Sequence, residues 1–209
     1  IGSDTSFTIN GGLNQRAYDQ HTVYKCLLSS TDLKRIQTVV MSLGASLDMI
    51  YEDHVYQIPG EDPKLLSIYK RINPTMHFHQ GIVELDHAYK CVISSDNLEA
   101  LDALLPKLRH YLADHYQVKK SRACFIEIFP KASGKDHALK QLQQLLNIKQ
   151  AEIMAIGDQE NDLDMIRYAG IGIAMGNAVA SVKAAADYIT RSNAEEGVVY
   201  ALKQWGPCI

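Results

Sequence analysis

Residues 155–165 read AIGDQENDLDM, and they place Asp158, Glu160, Asp162 and Asp164 within seven positions just past an apolar lead-in that ends at Gly157. Asp158 and Asp162 are four residues apart, about one helical turn, so their carboxylates can face one point. Like charges that close repel unless a cation lies between them. All the donors are oxygens and neither Cys nor His is near, which favours a hard ion, Mg²⁺ before others. Asn161 adds an amide able to reach a phosphate or orient a carboxylate. The free N–H groups of a helix start favour an anion. A metal beside an anion site suggests phosphate-ester chemistry.

Lys135 is the second candidate. It lies in the first turn of a helix, where a cation opposes the helix dipole. Pairing to carboxylates or to a phosphate would offset that cost. The plain alternative is a surface lysine and a solvated acidic helix start, and spacing alone leaves both readings open.

The elements that must carry these groups follow from periodicity. From about residue 131 the chain alternates regularly. Ser133-Gly134-Lys135-Asp136 fits a capping box for a helix bearing Ala138, Leu139, Leu142, Leu145 and Leu146, with Asp in place of the usual Glu or Gln. Strands are predicted over 152–156, 171–175 and 188–190. Helices are predicted over 160–168, from Ala178, and after a Ser192-Asn193 cap. Strand and helix alternating at this spacing indicate a parallel sheet with crossover helices. Ligands of such sheets sit at the carboxyl ends of the strands, where the acidic loop falls.

The preceding region mixes elements. A strand over residues 6–9 runs into Asn10-Gly11-Gly12. Strands are expected over 23–28, 46–51, 54–58 and 88–94, with a hairpin over 116–120 and 123–129. A helix capped by Ser29 to Asp32 carries Leu33, Ile36, Val40 and Leu43 on one face. A short helix covers 63–72, and a long one from Asp96 carries Leu98, Leu101, Leu105, Leu108 and Leu112.

The totals are those of an ordinary globular protein: 209 residues, 46% hydrophobic, 22% charged and a net charge of −3. Lys119, Lys120 and Arg122 form only a small basic cluster, read as a solvated turn, so no nucleic-acid surface is expected. Four scattered cysteines suggest reduced thiols and a cytoplasmic protein. No apolar run is long enough for a membrane span and no signal peptide is seen, so no membrane partner is expected.

The stretch IMAIGDQENDLDMIRYAGIGIAMGNAVASVKAAADYIT closely resembles the C-terminal motif of Cof-type phosphatases of the haloacid dehalogenase superfamily, the group with a large α/β (type IIB) cap. The likeness includes G-D-x-x-N-D at 157–162, Ala174-Met175-Gly176-Asn177-Ala178, Lys183 and Thr190. NGG at 10–12 resembles the N-G-A before the cap, and FIEIFPKASGKDHAL the return strand with its motif lysine. The resemblance implies a Rossmannoid parallel-sheet core plus an α/β cap. It divides the chain into a core fragment at 1–14, a cap at 15–130 and the rest of the core at 131–209.

The implied activity is Mg²⁺-dependent hydrolysis of small phosphorylated metabolites such as sugar phosphates, through an aspartyl-phosphate. Asp158 would bind the metal directly and Asp162 through its water shell. Asn161, Asn10 and Asn177 would serve the substrate phosphate. Lys135 would neutralise phosphate and nucleophile. Where the family has Gly after that lysine, this chain has Asp136.

A larger departure concerns the nucleophile. The family's D-x-D-G-[TS] occurs nowhere in the 209 residues; IGSDTS at the front supplies only Asp4 and Thr5. Core strands 1 and 2 are thus expected to be missing between residues 6–9, read as strand 3, and strands 4 and 5 at 152–156 and 171–175. These residues would be part of a longer chain, or a second copy would complete the sheet as a homo-oligomer, or the core would be rearranged. The alternative function is a catalytically inactive homologue that binds a phosphometabolite or a protein.

Other constellations carry less. His77-Phe78-His79 puts two imidazoles on one side of a strand, a zinc-pair spacing whose third ligand is not obvious, with Glu84 and His87 nearest in sequence. Two exposed cap histidines explain it better. Tyr51, Tyr56 and Tyr69 are cap residues that would touch either substrate or core, and Glu127, at the end of the return strand, would touch substrate or hinge.

Overall fold

Short strands and amphipathic helices build this chain, and its computed structural model describes residues 5–8, 13–16, 22–51, 53–58, 75–81 and 84–206. Asn10, Asp4, Tyr69, Cys208 and the helix expected over 63–72 lie outside the described residues. Two compact units divide at Ser133/Gly134.

In the first unit, β1 (Thr5–Thr8), β2 (Leu13–Arg16) and β3 (Thr22–Lys25) form a three-stranded antiparallel sheet. The segment expected as parallel core strand 3 is therefore a hairpin arm. A neighbour only a few residues along the chain satisfies its backbone groups at little loop-closure cost.

A six-stranded sheet dominates this unit. Its strands are β5 (Asp48–Tyr51), β6 (His54–Gln57), β7 (His77–Gln80), β9 (Lys90–Ser94), β10 (Tyr116–Arg122) and β11 (Phe125–Pro130), in the order β10-β11-β9-β5-β6-β7. Every pairing is antiparallel except β6 with β7. A small pair, β4 (Leu28–Ser29) and β8 (His87–Ala88), lies apart.

Helices α1 (Ser30–Ser42) and α2 (Leu98–Leu112) bury their apolar stripes on one face. Leu33, Ile36 and Val40 join Leu101, Leu108 and Leu112, packing with Met49, Cys91, Ile93, Ile126 and Ile128 into the main core. The other face carries a smaller cluster of Ile50, Val55, Val92 and Phe125, with Phe78 packed against it. Alternation along each strand divides these two sets. α2 starts at Leu98, two residues later than expected, because Asn97 caps it, accepting a hydrogen bond from the backbone N–H of Ala100 (3.0 Å). Lys119, Lys120 and Arg122 lie in β10 rather than in a turn, and Lys120 pairs with Asp102.

In the second unit, α3 (Lys135–Leu146) precedes β12 (Met154–Gly157), α4 (Leu163–Tyr168), β13 (Ile171–Ala174), α5 (Ala180–Ala185), β14 (Tyr188–Ile189) and α6 (Gly197–Trp205). The strands pair in parallel in the order β12-β13-β14. This is the Rossmannoid core expected from the alternation, with three strands among the described residues. Its core is built from small residues: Ala155, Ile166, Ala174, Met175, Ala178 and Val182.

The helix over 135–146 departs from its expected face. Ala138 is buried, but Leu145 and Leu146 are each 56% exposed. α3 meets α4 through Lys140, whose ammonium lies 5.0 Å from the Tyr168 ring, and through Gln143, which accepts from the Tyr168 hydroxyl. The apolar stripe runs past that contact. Among the described residues of this unit nothing covers its end. No helix in the described residues is long and apolar enough to cross a membrane.

One polar contact ties α1 to β10. Ser29 and Asp32 form a reciprocal capping box, and the Tyr116 hydroxyl donates to the other Asp32 oxygen at 2.7 Å. Burial raises the Asp32 carboxyl, but bonds from Ser29 and Tyr116 and the Arg35 charge outweigh it and hold it below the ordinary range. Burial and the Asp32 carboxylate push the Tyr116 hydroxyl up to about 12. Tyr116→Phe should cost about 1.5–3 kcal/mol at neutral pH, as loss of a hydrogen bond to a charged group does. A depressed carboxyl contributes stability above its unfolded value and loses it as pH falls through its folded value. The gap between wild type and variant in urea unfolding should thus be full at pH 6 and close on acidification below the ordinary Asp value of 3.8.

Candidate functional site

The acidic loop follows β12 and begins a 3₁₀ turn, Glu160–Asp162, that runs directly into α4. Asp162 is 3% exposed at the foot of this turn. Its Oδ2 accepts the backbone N–H groups of Asp158 (2.9 Å) and Gln159 (3.1 Å). Its Oδ1 accepts from the Lys135 ammonium. One carboxylate thus joins the first residue of α3, the end of β12 and the start of α4. Charge-assisted bonds of this kind are about twice as strong as neutral ones.

Gly157 makes room for this arrangement. A Cβ there would lie 2.5 Å from the Asp162 Cβ and 2.8 Å from its Oδ2. Only a residue with no side chain lets the strand end pass so close to the carboxylate.

Lys135 reaches the loop because α3 starts at Gly134, whose φ of +138° is disfavoured for residues with a Cβ. The expected capping box at Ser133 does not form. The Ser133 hydroxyl donates back to the Pro130 carbonyl (3.0 Å), and Asp136 turns instead to Lys140 (3.0 Å) and His137 (3.2 Å). Burial pushes the Asp136 carboxyl up, yet Lys140 and His137 outweigh it and lower it below the ordinary range. The unusual carboxylate after Lys135 is therefore balanced within its own helix.

Asp158 has other partners. Its Oδ2 accepts from the Asn177 side-chain amide (3.2 Å), and the Asn177 side-chain oxygen accepts from the Asn193 backbone N–H (2.9 Å). The Asp158 carbonyl accepts from the Val179 N–H (2.9 Å), so the turn after β13 is laced to the acidic loop. The structure brings together Lys135, Asp158, Asp162 and Asn177. Asn161 lies in the same 3₁₀ turn. Asn193, read from the sequence only as part of a helix cap, sets the orientation of Asn177. Its only sequence signal is its place after Ser192, where Glu195 closes a small capping box.

Metal binding divides unevenly between the two carboxylates. Both oxygens of Asp162 are engaged by nitrogen donors, whereas among the described residues Asp158 Oδ1 has no hydrogen-bond partner. Among those residues no group of three or more His, Cys, Asp or Glu side chains is gathered closely enough to hold an ion by itself. A hard cation that keeps several waters and takes one carboxylate oxygen fits this donor set, and Mg²⁺ is such a cation.

Glu127 lies in the first unit, on β11, 7% exposed and bonded to the Lys90 ammonium of β9 at 2.8 Å. Tyr51 packs against the His87 ring and Tyr56 against the His79 ring.

Residues 2–202 match the family described as haloacid dehalogenase-like hydrolase. YxeH of Bacillus subtilis (strain 168) is 32% identical over 204 residues, 96% of this chain and 75% of that protein. The 5-amino-6-(5-phospho-D-ribitylamino)uracil phosphatase YwtE of the same organism is 35% identical over 133 residues, 64% of this chain and 46% of that protein. The crystal structure of a haloacid dehalogenase-like hydrolase from Bacteroides thetaiotaomicron superposes with a TM-score of 0.74 at 28% identity, covering 93% of this chain and 74% of that one.

Asp162→Ala would leave two loop N–H groups and the Lys135 ammonium without their acceptor. It should destabilise the chain by about 2–3 kcal/mol, and Lys135→Met, which removes one donor and no acceptor, by less. Urea denaturation of both variants checks the order.

Proposed function

The chain belongs to the haloacid dehalogenase-like hydrolases, and on that premise we propose that its C-terminal unit is the metal and phosphate half of a phosphatase site for small phosphorylated metabolites. The observation that carries this reading is the asymmetry of the two loop carboxylates. Asp162 is spent on holding Lys135 and the loop, while Asp158 turns an oxygen outward. Asp158 would hold Mg²⁺ directly, and Asp162 would act on its water shell. Bound there, Mg²⁺ would supply charge stabilisation for a phosphoryl group.

The chain's own residues do the rest. Lys135, fixed at its amine by Asp162 and 36% exposed along its side chain, presents positive charge to a phosphate oxygen. Asn177 orients Asp158, and Asn161 would contribute an amide to the phosphate. Phosphoryl transfer needs a nucleophile, and the 209 residues contain no D-x-D-G-[TS]. That segment would come from outside them, from a longer polypeptide or another chain. Among the described residues β12 is an edge of its sheet, which leaves backbone groups for a further strand.

Without such a segment residues 1–209 would bind a phosphorylated metabolite rather than turn it over, and a binding protein for a phosphometabolite or a protein partner is the second reading. The sugar-phosphate class follows from the family resemblance, and YwtE extends the range to a phosphorylated ribitylamino-uracil.

Mg²⁺ should raise the melting temperature of the 209-residue protein, and Asp158→Asn should abolish that shift. Steady hydrolysis of p-nitrophenyl phosphate should be absent. Turnover that disappears in Asp158→Ala would overturn the inactivity, and an Mg²⁺ shift that survives Asp158→Asn would overturn the metal assignment.

A further inference from the structure

Three histidines meet at one edge of the six-stranded sheet, remote in sequence from the acidic loop. β6 and β7 run parallel with His54 opposite His77 and Tyr56 opposite His79. Alternation puts these four side chains on one face, while Val55 and Phe78 turn to the small apolar cluster on the other. The His54 ring lies 5.2 Å from the His77 ring and 5.0 Å from the His79 ring, centroid to centroid. The His79 ring is itself backed by Tyr56 at 4.7 Å.

A chain of N–H donors joins these rings to Asp53. His54 Nδ1 lies 2.7 Å from His79 Nε2, and His54 Nε2 lies 3.2 Å from Asp53 Oδ1. With both rings neutral, His79 donates to His54 and His54 donates to the carboxylate. One added proton fits, because His54 then donates on both sides, to Asp53 and to His79. A second proton on the pair does not fit. Both facing nitrogens would carry hydrogen, and two cationic rings would meet head-on at 2.7 Å. Closed, the pair carries one positive charge at most; apart, it carries two.

We propose that the His54–His79 contact is an acid-sensitive latch on β7. It keeps this strand docked while the pair carries no more than one charge, and it releases the strand when both imidazoles are protonated. Histidine is the side chain that ordinarily changes charge between about pH 5 and 8. Among the described residues the other titratable groups facing the pair are Asp53, His77, Tyr51 on β5 and Tyr56 on β6. Beyond the Tyr51 ring lies His87, which has Asp86 as its own partner at 3.0 Å. Tyrosine is uncharged in acid. Asp53 is shared, since its Oδ2 lies 3.7 Å from His77 Nε2, so it offsets one imidazolium of the pair and not two.

The place of β7 makes it the element that moves. Among the described residues it is an edge strand held by β6 alone, so it can leave without opening the rest of the sheet. Its ends are tied by the His77 N–H to the Asp53 carbonyl at 2.7 Å and by the Gly81 N–H to the Gln57 carbonyl at 3.0 Å. The released strand binds one proton more than the docked one. Once the pH is low enough to charge both free imidazoles, the opening constant therefore grows about tenfold for each further pH unit of acidification.

Amide hydrogen exchange of the 209-residue protein between about pH 7.5 and about pH 5, corrected for the intrinsic exchange rate, tests this. Protection at residues 77–81 should fall by up to about tenfold per pH unit at the acid end, while protection at 90–94 in the central strand β9 holds. His79→Phe keeps an aromatic ring on Tyr56 but cannot be charged, and it should flatten the acid response of 77–81. His54→Gln, at a side chain that is 33% exposed, should do the same and serves as the second variant. His77→Gln should leave the response in place, because the His77 proton faces a carboxylate rather than another imidazole. Protection at 77–81 that follows that at 90–94 across the whole range in wild type would overturn the latch. So would an acid response that persists in both His79→Phe and His54→Gln, or one that His77→Gln removes.

Discussion

The C-terminal unit depends on where the Asp162 carboxylate sends its two oxygens. One takes the Lys135 ammonium and the other takes two backbone N–H groups at the end of β12. Three elements that are far apart in sequence meet at a single side chain. Such a charge, 3% exposed, is tolerable only because all its partners are present. The arrangement also explains the glycine before it, since no larger residue fits between strand and carboxylate. Because Asp162 is committed to these contacts, Asp158 is the carboxylate left to turn outward.

Much of this could be read from residue types. The alternation after residue 131 foretold a parallel sheet, and the four-residue step from Asp158 to Asp162 placed both acids on one loop. The division of labour between them was not legible, because it depends on which backbone amides point inward at a 3₁₀ turn. Ser133 shows the same limit. Its spacing to Asp136 matches a capping box, but a glycine at positive φ starts the helix and both side chains bond elsewhere. For α1 the same motif, Ser29 with Asp32, reads correctly, since the residue between the cap and the helix interior is an ordinary one. Leu145 and Leu146 fit an apolar stripe by period alone, yet burial needs an opposing element as well as a period.

In the first unit, helix stripes and strand alternation were enough to assign the core, because Leu33, Ile36, Val40, Leu101, Leu108 and Leu112 have no other plausible destination. What sequence could not supply was neighbourhood across strands. His54 and His77 are separated by twenty-two intervening residues, and only the parallel register of β6 and β7 sets them side by side. A parallel pair has no tight turn whose residues would announce it, unlike the hairpin of β10 and β11.

The order of strands in the large sheet has a consequence for how the chain folds. The pairs β5–β6 and β10–β11 are local hairpins, of the kind that closes in microseconds. β9 lies between β11 and β5, so it is the strand that welds the two hairpins into one sheet. Its pairing with β5 closes a loop of roughly forty residues, and loops of that length close more slowly than hairpins do. Docking of β9, whose Cys91, Val92 and Ile93 are almost wholly buried, thus closes the longest loop among the pairings of this sheet. Until it docks, the β5–β6 hairpin must wait with one edge unpaired.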